Sequence, residues 1–315
     1  MDSTRKWITD QIKTFRNCTD SAPTLPFTDL LAPDLVHGIL QELDLTYRER
    51  IYTPFITLCV FLEQVFSEDH SCRKAVARLL AFRIAKGQRP CSPDTHPYCS
   101  ARQRLPEKLF QILVQRVGRW LQRSVPDQWL FHGRRIKSVD GSTVSMPDTP
   151  KNQKEYPQPK SQKPGVGFPL ARLVVVFCVT SGAVLEMAIG PNKGKKTGEN
   201  ALFRTLWDSL ETDDIVLADR YYCSYADIAL LKKRDVDSVF RKHQNRHSDF
   251  RRGQRLGKYD HLITLKKPKQ RIPWMDKETF DELPDELTLR EIKYTIVEKR
   301  KRTKEIILIT TLLDA

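Results

Sequence analysis

The first 130 residues carry apolar positions at helical spacing. Thr53-Pro54 reads as a cap with proline at the first helical position, and the apolar run Phe55 to Phe66 follows it. Ser71 is placed to cap a second helix that ends near Gly87, with Ala75, Leu79, Leu80 and Ile84 on one face. A third helix is expected from about Pro106 to Gln122, where Leu109, Ile112, Leu113, Val117, Trp120 and Leu121 recur at helical spacing. Gly87 to Pro97, rich in Pro, Ser and Asp, reads as a loop. The apolar faces predict a helical bundle core.

From Arg134 the period changes. Arg135 to Asp140 alternates and meets Gly141, which predicts a strand ending at Asp140. Residues 145–169 are full of Pro, Lys and Gln and read as an extended loop. Leu173–Thr180 and Val184–Ile189 flank Ser181-Gly182, a hairpin signal. A helix over about Glu199 to Leu210, a buried strand Ile215–Ala218, a helix over Tyr225 to Lys233 and a strand Val236–Phe240 follow. Residues 241–305 alternate in short polar pieces, which predicts an inserted β-rich unit, and Ile306 to Leu312 is a last apolar strand.

Composition narrows the class. Hydrophobic residues at 40% exclude a disordered chain, and 13 Gly and 19 Pro exclude a collagen-like one. No apolar run is long enough to span a membrane, and the charged N-terminus lacks the apolar centre of a signal peptide, so a cytoplasmic protein is expected. Seven cysteines, odd in number and without a Cys-x-x-Cys pair, argue against a disulfide framework or zinc ribbon. The net charge of +14 points to an anionic partner. Residues 241–271 hold eleven basic residues against Asp249 and Asp260, net +9, so this segment carries most of the excess. A solvated charged hairpin and a phosphate-tracking surface both fit that pattern; the concentration favours the second.

The order strand, hairpin, helix, strand, helix, strand is that of a ribonuclease H-like domain. Asp140 and Asp219 stand at two predicted strand ends, 79 residues apart. Each alone is compatible with ordinary turn chemistry. If the first and fourth strands lie side by side, the two carboxylates meet at one sheet edge. Two hard oxygen donors there suit Mg²⁺, which takes few protein carboxylates and completes its shell with water and phosphate. Gly190 to Thr197 imitates a nucleotide-binding loop but has three residues between its glycines instead of four. Its Lys195 and Lys196, ahead of a helix, still favour phosphate. Gly165-Val166-Gly167 lacks the third glycine of a dinucleotide fingerprint.

Val139-Asp140-Gly141-Ser142-Thr143-Val144-Ser145-Met146-Pro147-Asp148 closely resembles the first-acid motif of IS4-family DDE transposases. Gly165 to Ala171, Gly190 to Glu199 and Ala218-Asp219-Arg220-Tyr221-Tyr222 look like the blocks that follow. Ser71-Cys72-Arg73 and Ala101 to Pro106 look familial too. The resemblance covers nearly the whole chain. It implies an α/β fold: an RNase H-like mixed sheet flanked by helices, with an N-terminal helical domain and a β-rich insertion. The expected divisions are 1–130, for DNA binding or protomer pairing; 131–240, the first part of the catalytic core; 241–305, the basic insertion; and 306–315, the last core strand.

The same resemblance implies cut-and-paste transposition with Mg²⁺, for which Mn²⁺ can substitute, on the double-stranded DNA of element ends and target. It also implies a homodimer on DNA, in a prokaryotic cytoplasm and nucleoid-associated when bound. Asp140 and Asp219 would be the first and second metal-binding catalytic acids. Lys195, Lys196, Arg220, Arg241, Lys242, Arg246, Arg251, Arg252, Arg255, Lys258, Lys266 and Lys267 are the DNA-binding candidates. The third acid should be a Glu on a helix after the last strand, inside Tyr-x₂-Arg-x₃-Glu-x₆-Lys. That pattern is missing: Tyr47 and Arg50 have the first spacing, but Pro54 stands at the Glu position. The expectation is a chain cut short of its third acid, with little activity alone. Two alternatives stand beside it: a DNA-binding remnant or inhibitor without catalysis, and an RNase H-like nuclease on another substrate.

Overall fold

The computed structural model describes residue 10 and residues 31–161, 163, 165–194, 197–243, 246–297 and 304–314. The chain divides into two compact units, 1–113 and 114–315.

The first unit is helical. Its helices are α1 (Pro33–Glu42), α2 (Pro54–Phe66), α3 (Cys72–Ala85) and α4 (His96–Gln103); α5 (Glu107–Arg123) starts in it and crosses the division. The caps are those the sequence predicts. Thr53 accepts a hydrogen bond from the Ile56 amide at 3.3 Å, and Ser71 from the Lys74 amide at 3.1 Å. Gly87, at φ 65°, ends α3 in a left-handed turn that glycine adopts without strain. Two cores form: Val60, Ala75, Val76, Leu79, Cys91 and Tyr98 in one, and Val36, Ile39, Leu40, Leu58, Leu109 and Leu113 in the other. Ala75 and Leu79 are buried as the helical period predicts, but Ile84, in the last turn of the helix, is exposed.

Among the described residues, the second unit holds a nine-stranded sheet in the order β3-β2-β1-β4-β5-β9-β8-β7-β6. The strands are β1 (Ile136–Ser145), β2 (Leu170–Cys178), β3 (Val184–Pro191), β4 (Ile215–Ala218), β5 (Asp237–Arg241), β6 (Gln254–Gly257), β7 (Asp260–Lys266), β8 (Glu286–Ile296) and β9 (Lys304–Thr310). Helices α6 (Pro150–Glu155), α7 (Glu199–Arg204), α8 (Tyr225–Lys233) and α9 (Lys277–Asp281) lie between them. β1, β4 and β5 run parallel; the other pairings are antiparallel. This is the RNase H-like mixed sheet with helices that the sequence predicts. Val139, Val174, Val176, Phe203, Trp207, Val216, Tyr222, Ile228 and Phe240 belong to its core.

Three details depart from the sequence reading. β1 does not stop at Asp140; antiparallel pairing with β2 carries it on to Ser145. The proline-rich stretch after it contains the short α6, capped by Thr149. The helix expected over 199–210 breaks after Arg204, where the hydroxyls of Thr205 and Ser209 bond back to the carbonyls of Leu202 and Leu206. A fourth detail adds to the reading of 241–305 as a β-rich insertion: β8 pairs with β9, so β6, β7 and β8 continue the core sheet.

Lys137 on β1 and Asp214 before β4 form a buried ion pair of 2.5 Å, with side chains 1% and 2% exposed. The Lys137 ammonium also donates to the Ser209 carbonyl at 2.7 Å. Burial pushes the Asp214 carboxyl pKa up against the opposing pull of Lys137. The pair ties β1 to the segment leading into β4, the two strands that carry the candidate acids.

Candidate active site and nucleic-acid interface

β1 and β4 pair in parallel as Ile136 with Ile215, Lys137 with Val216 and Ser138 with Leu217. The offset is 79 residues, the same as that between Asp140 and Asp219. Continued two residues, the register sets Asp140 opposite Asp219. There the strands part: β1 goes on beside β2, while the chain after β4 turns into a short 3₁₀ segment, Arg220–Tyr222. The parting opens the edge at which both carboxylates are exposed. Asp140 accepts a hydrogen bond from the Gly141 amide at 2.8 Å, and Asp219 from the Tyr221 amide at 2.7 Å. One oxygen of each carboxylate is thereby engaged. Among the described residues, no three His, Cys, Asp or Glu side chains already converge as a metal cage.

A residue the sequence reading did not single out lies against this edge. The Glu199 side chain crosses over Gly141 so closely that a Cβ there would meet its carboxyl carbon at 2.5 Å. Arg172 on β2 anchors the loop that delivers it, donating to the Thr197 carbonyl at 3.2 Å and the Asn192 side chain at 3.0 Å. Its Nε sits 3.7 Å from Glu199 Oε1. Asn200 donates to the Tyr221 carbonyl at 2.9 Å and joins α7 to the segment after Asp219. Below lies Tyr222, 1% exposed, whose hydroxyl has no hydrogen-bond partner among the described residues. Burial, and then the charges of Glu199, Asp140 and Asp219, push the Tyr222 phenol pKa up. Gly141 was the available signal: glycine inside a strand marks a close approach, whereas Asp-Gly reads first as a turn.

Beside this edge is a cavity of about 680 Å³, lined by Asn200, Arg204, Tyr221, Arg246 and Trp274 among others. The Arg204 guanidinium lies 3.6 Å from the centre of the Trp274 ring and is held by Asp227 through bonds of 2.7 and 2.9 Å.

The basic candidates separate by burial. Arg251, Arg252, Arg255, Lys258 and Lys266 are exposed, on β6, β7 and the adjoining turns. Arg251 and Arg252 share the carboxylate of Asp249. Lys242 is turned inward, its side chain 5% exposed and 2.5 Å from Glu291; it presents no charge to a phosphate. Ser248 and His261 complete that buried group, at 2.7 and 2.8 Å from the Glu291 carboxylate. Burial pushes the Glu291 pKa up, but hydrogen bonds from Lys242, His261 and Ser248 outweigh it and hold the carboxyl below its ordinary value. Lys267 is half-buried over the Phe280 ring and donates to the Leu283 carbonyl at 2.9 Å. Arg241 is half-buried on β5, Arg220 partly covered beside Asp219, and Arg246 faces the cavity. Lys195 and Lys196 lie outside the described residues. Hydropathy does not separate an inward lysine from an outward one when a buried Glu lies 49 positions away, as Glu291 does from Lys242.

Among the described residues, no helix is long and apolar enough to cross a membrane. No curated protein matches the chain. A family model described as a transposase DDE domain matches residues 131–309, more than half of the chain.

Proposed function

Because the chain belongs to the family of transposases with a DDE domain, we propose that it cuts and joins the DNA ends of an insertion element, with Asp140 and Asp219 as metal-binding acids. The observation that carries the assignment is the shared 79-residue offset, which sets the two aspartates opposite each other where β1 and β4 part. The donor set fits Mg²⁺ or Mn²⁺: two exposed carboxylates, each with one oxygen already oriented by a backbone amide. Mg²⁺ takes few protein carboxylates, so water and substrate phosphate would supply its remaining oxygens. Asp140 and Asp219 would hold the cation, and the chemistry it would supply there is activation of the attacking oxygen and stabilisation of the leaving one.

The chain's own residues do the rest. The Gly141 and Tyr221 amides hold the carboxylates in place, so little reorganisation is needed when DNA arrives. The Lys137–Asp214 pair fixes the β1–β4 register on which their separation depends. The exposed cations of β6 and β7 track DNA away from the reacting phosphate. From β1 to β6 there are six strand spacings, about 29 Å at about 4.8 Å each. At about 3.4 Å per base pair, that places these contacts roughly eight or nine base pairs from the cut. Two protomers, one on each element end, complete the proposed assembly, with the helical unit in end binding or pairing.

The test is cleavage of DNA carrying the element ends, with Mg²⁺ or Mn²⁺. Metal-dependent cleavage abolished by Asp140→Asn or Asp219→Asn, with DNA binding retained, is the expected result. Salt-dependent binding without metal-dependent cleavage would replace the proposal with that of a DNA-binding inhibitor.

A further inference from the structure

We propose that Cys72 and Cys99 form a reversible redox pair, which a low-molecular-weight disulfide such as oxidised glutathione converts to an intramolecular disulfide joining α3 to α4. The cysteine count argues against a disulfide framework, not against one reversible pair. The inference does not depend on the reading of Asp140 and Asp219.

Three features support it. The first is approach. The Cys99 thiol donates to Cys72 Sγ at 3.9 Å, across 27 positions of sequence. A disulfide bond is about 2.05 Å long, so the sulfurs must close by about 1.9 Å, the scale of one side-chain rotation. The second is exposure. Cys59, Cys91, Cys178 and Cys223 are buried, whereas Cys72 and Cys99 are half-buried. Among the described residues, the two cysteines that solvent reaches are thus the two whose sulfurs meet. Cysteines that serve only as small apolar side chains are closed to solvent, as the other four are. The third is a firm seat. Cys72 opens α3, whose start Ser71 caps, and both cysteines pack against the core that contains Tyr98. Tyr98 and Arg102, on either side of Cys99 in α4, both donate to Gln64 Oε1 of α2, at 2.7 and 2.9 Å. The two sulfurs are therefore held on elements that are each fastened in place.

The chemistry is two thiol–disulfide exchanges. The Cys72 thiol gives its proton to solvent, and its sulfur attacks one sulfur of oxidised glutathione. A mixed disulfide forms, and one glutathione leaves as the thiolate. The Cys99 thiol then loses its proton, and its sulfur attacks Cys72 Sγ and expels the second glutathione. Two protein thiols and one glutathione disulfide become one protein disulfide and two glutathione thiols; the protein is oxidised by two electrons and glutathione reduced by two. Burial, and then the bond to Cys72, push the Cys99 thiol pKa up, while Arg102 pulls the other way. That assigns the first attack to Cys72 and the resolving step to Cys99. The bond closes a loop that contains the whole of α3, so the thiol–disulfide balance sets two forms of the helical unit.

The experiment incubates the full wild-type chain, reduced and then freed of reductant, with excess oxidised glutathione at pH 8. After an acid quench, the remaining thiols are blocked with N-ethylmaleimide in denaturant, and peptides from trypsin and chymotrypsin are read by mass spectrometry. Cleavage after Phe66 and Tyr98 separates Cys72 from Cys59 and Cys99 from Cys91. The expected product is a crosslink between the Cys72 and Cys99 peptides, about tenfold or more in excess of glutathione adducts at either residue, because the resolving thiol is already in contact. Dithiothreitol should return both thiols. Cys72→Ser should remove the crosslink and leave Cys99 as a thiol or a glutathione adduct; the wild-type map decides the inference even if that variant fails to fold. Cys72 and Cys99 both recovered as free thiols, glutathione adducts that persist without a crosslink, or bridges from either residue to any other cysteine would each overturn it.

Discussion

The exposed cations of β6 and β7 make the salt dependence of DNA binding calculable. Five side chains face solvent there: Arg251, Arg252, Arg255, Lys258 and Lys266. If each neutralises one phosphate, log K against log[salt] has a slope of about −4.5, and affinity falls about 500-fold between about 50 and 200 mM salt. The informative perturbation is the double change Arg255→Gln and Lys258→Gln. Arg255 donates to the Gly257 carbonyl and Lys258 lies over the Tyr259 ring, and neither engages a carboxylate among the described residues. Losing both reduces the slope to about −2.7 and the same salt step to about 40-fold. Lys242→Met is the contrast. It removes one positive charge from the same segment, but from a side chain 5% exposed and paired with Glu291. It should leave the slope unchanged while lowering stability by about 3–5 kcal/mol, because Glu291 is left buried without its cation. Fluorescence anisotropy of a labelled duplex of about 30 base pairs across a salt series measures the slopes, and urea unfolding measures stability. A double variant with the wild-type slope, or a Lys242→Met variant with a reduced one, would refute the division into inward and outward cations.

Three further outcomes follow from buried groups. Lys137→Met should cost about 3–5 kcal/mol in urea unfolding, since it strands Asp214 at 2% side-chain exposure; a loss under about 1 kcal/mol would count against the pair as a register lock. Glu291 is held below its ordinary pKa of 4.5, so its contribution is complete above pH 4.5 and is lost as pH falls through the lower folded value. Glu291→Gln should therefore flatten the acid limb of the stability curve, and an unchanged limb would contradict the assignment. Cys59 is fully buried in α2, and burial pushes its thiol pKa up to about 12; alkylation at pH 8 read by mass spectrometry should spare it until denaturant is added.

The fold was legible where one physical signal dominated. Thr53-Pro54 and Ser71 start helices because a side-chain oxygen satisfies an otherwise unpaired amide, and both do so. The hairpin at Ser181-Gly182 and the buried β4 were equally plain, since turn residues interrupt strongly apolar runs. The continuation of β1 past Asp140 was hidden, because Gly141 imitates a turn while its pairing partner, Val174, lies in another strand. Glu199 was hidden for the same kind of reason: its closeness to Gly141 is a fact of tertiary packing across 58 positions, and only the glycine hints at it. The concentration of charge in 241–271 was visible from composition, but which cations face outward depended on Glu291 and on the carbonyls around Phe280, which no local pattern announces.

The central claim is that Asp140 and Asp219 jointly hold the divalent cation of a DNA-cutting site. Crystals of the chain soaked in Mn²⁺ test it most directly, through the anomalous signal of the metal. The account predicts a peak at the parting of β1 and β4, with an oxygen of each aspartate about 2.1 Å away, and no peak there in Asp140→Asn. A Mn²⁺ peak held by other residues, with Asp140 and Asp219 still bonded only to the Gly141 and Tyr221 amides, would contradict it.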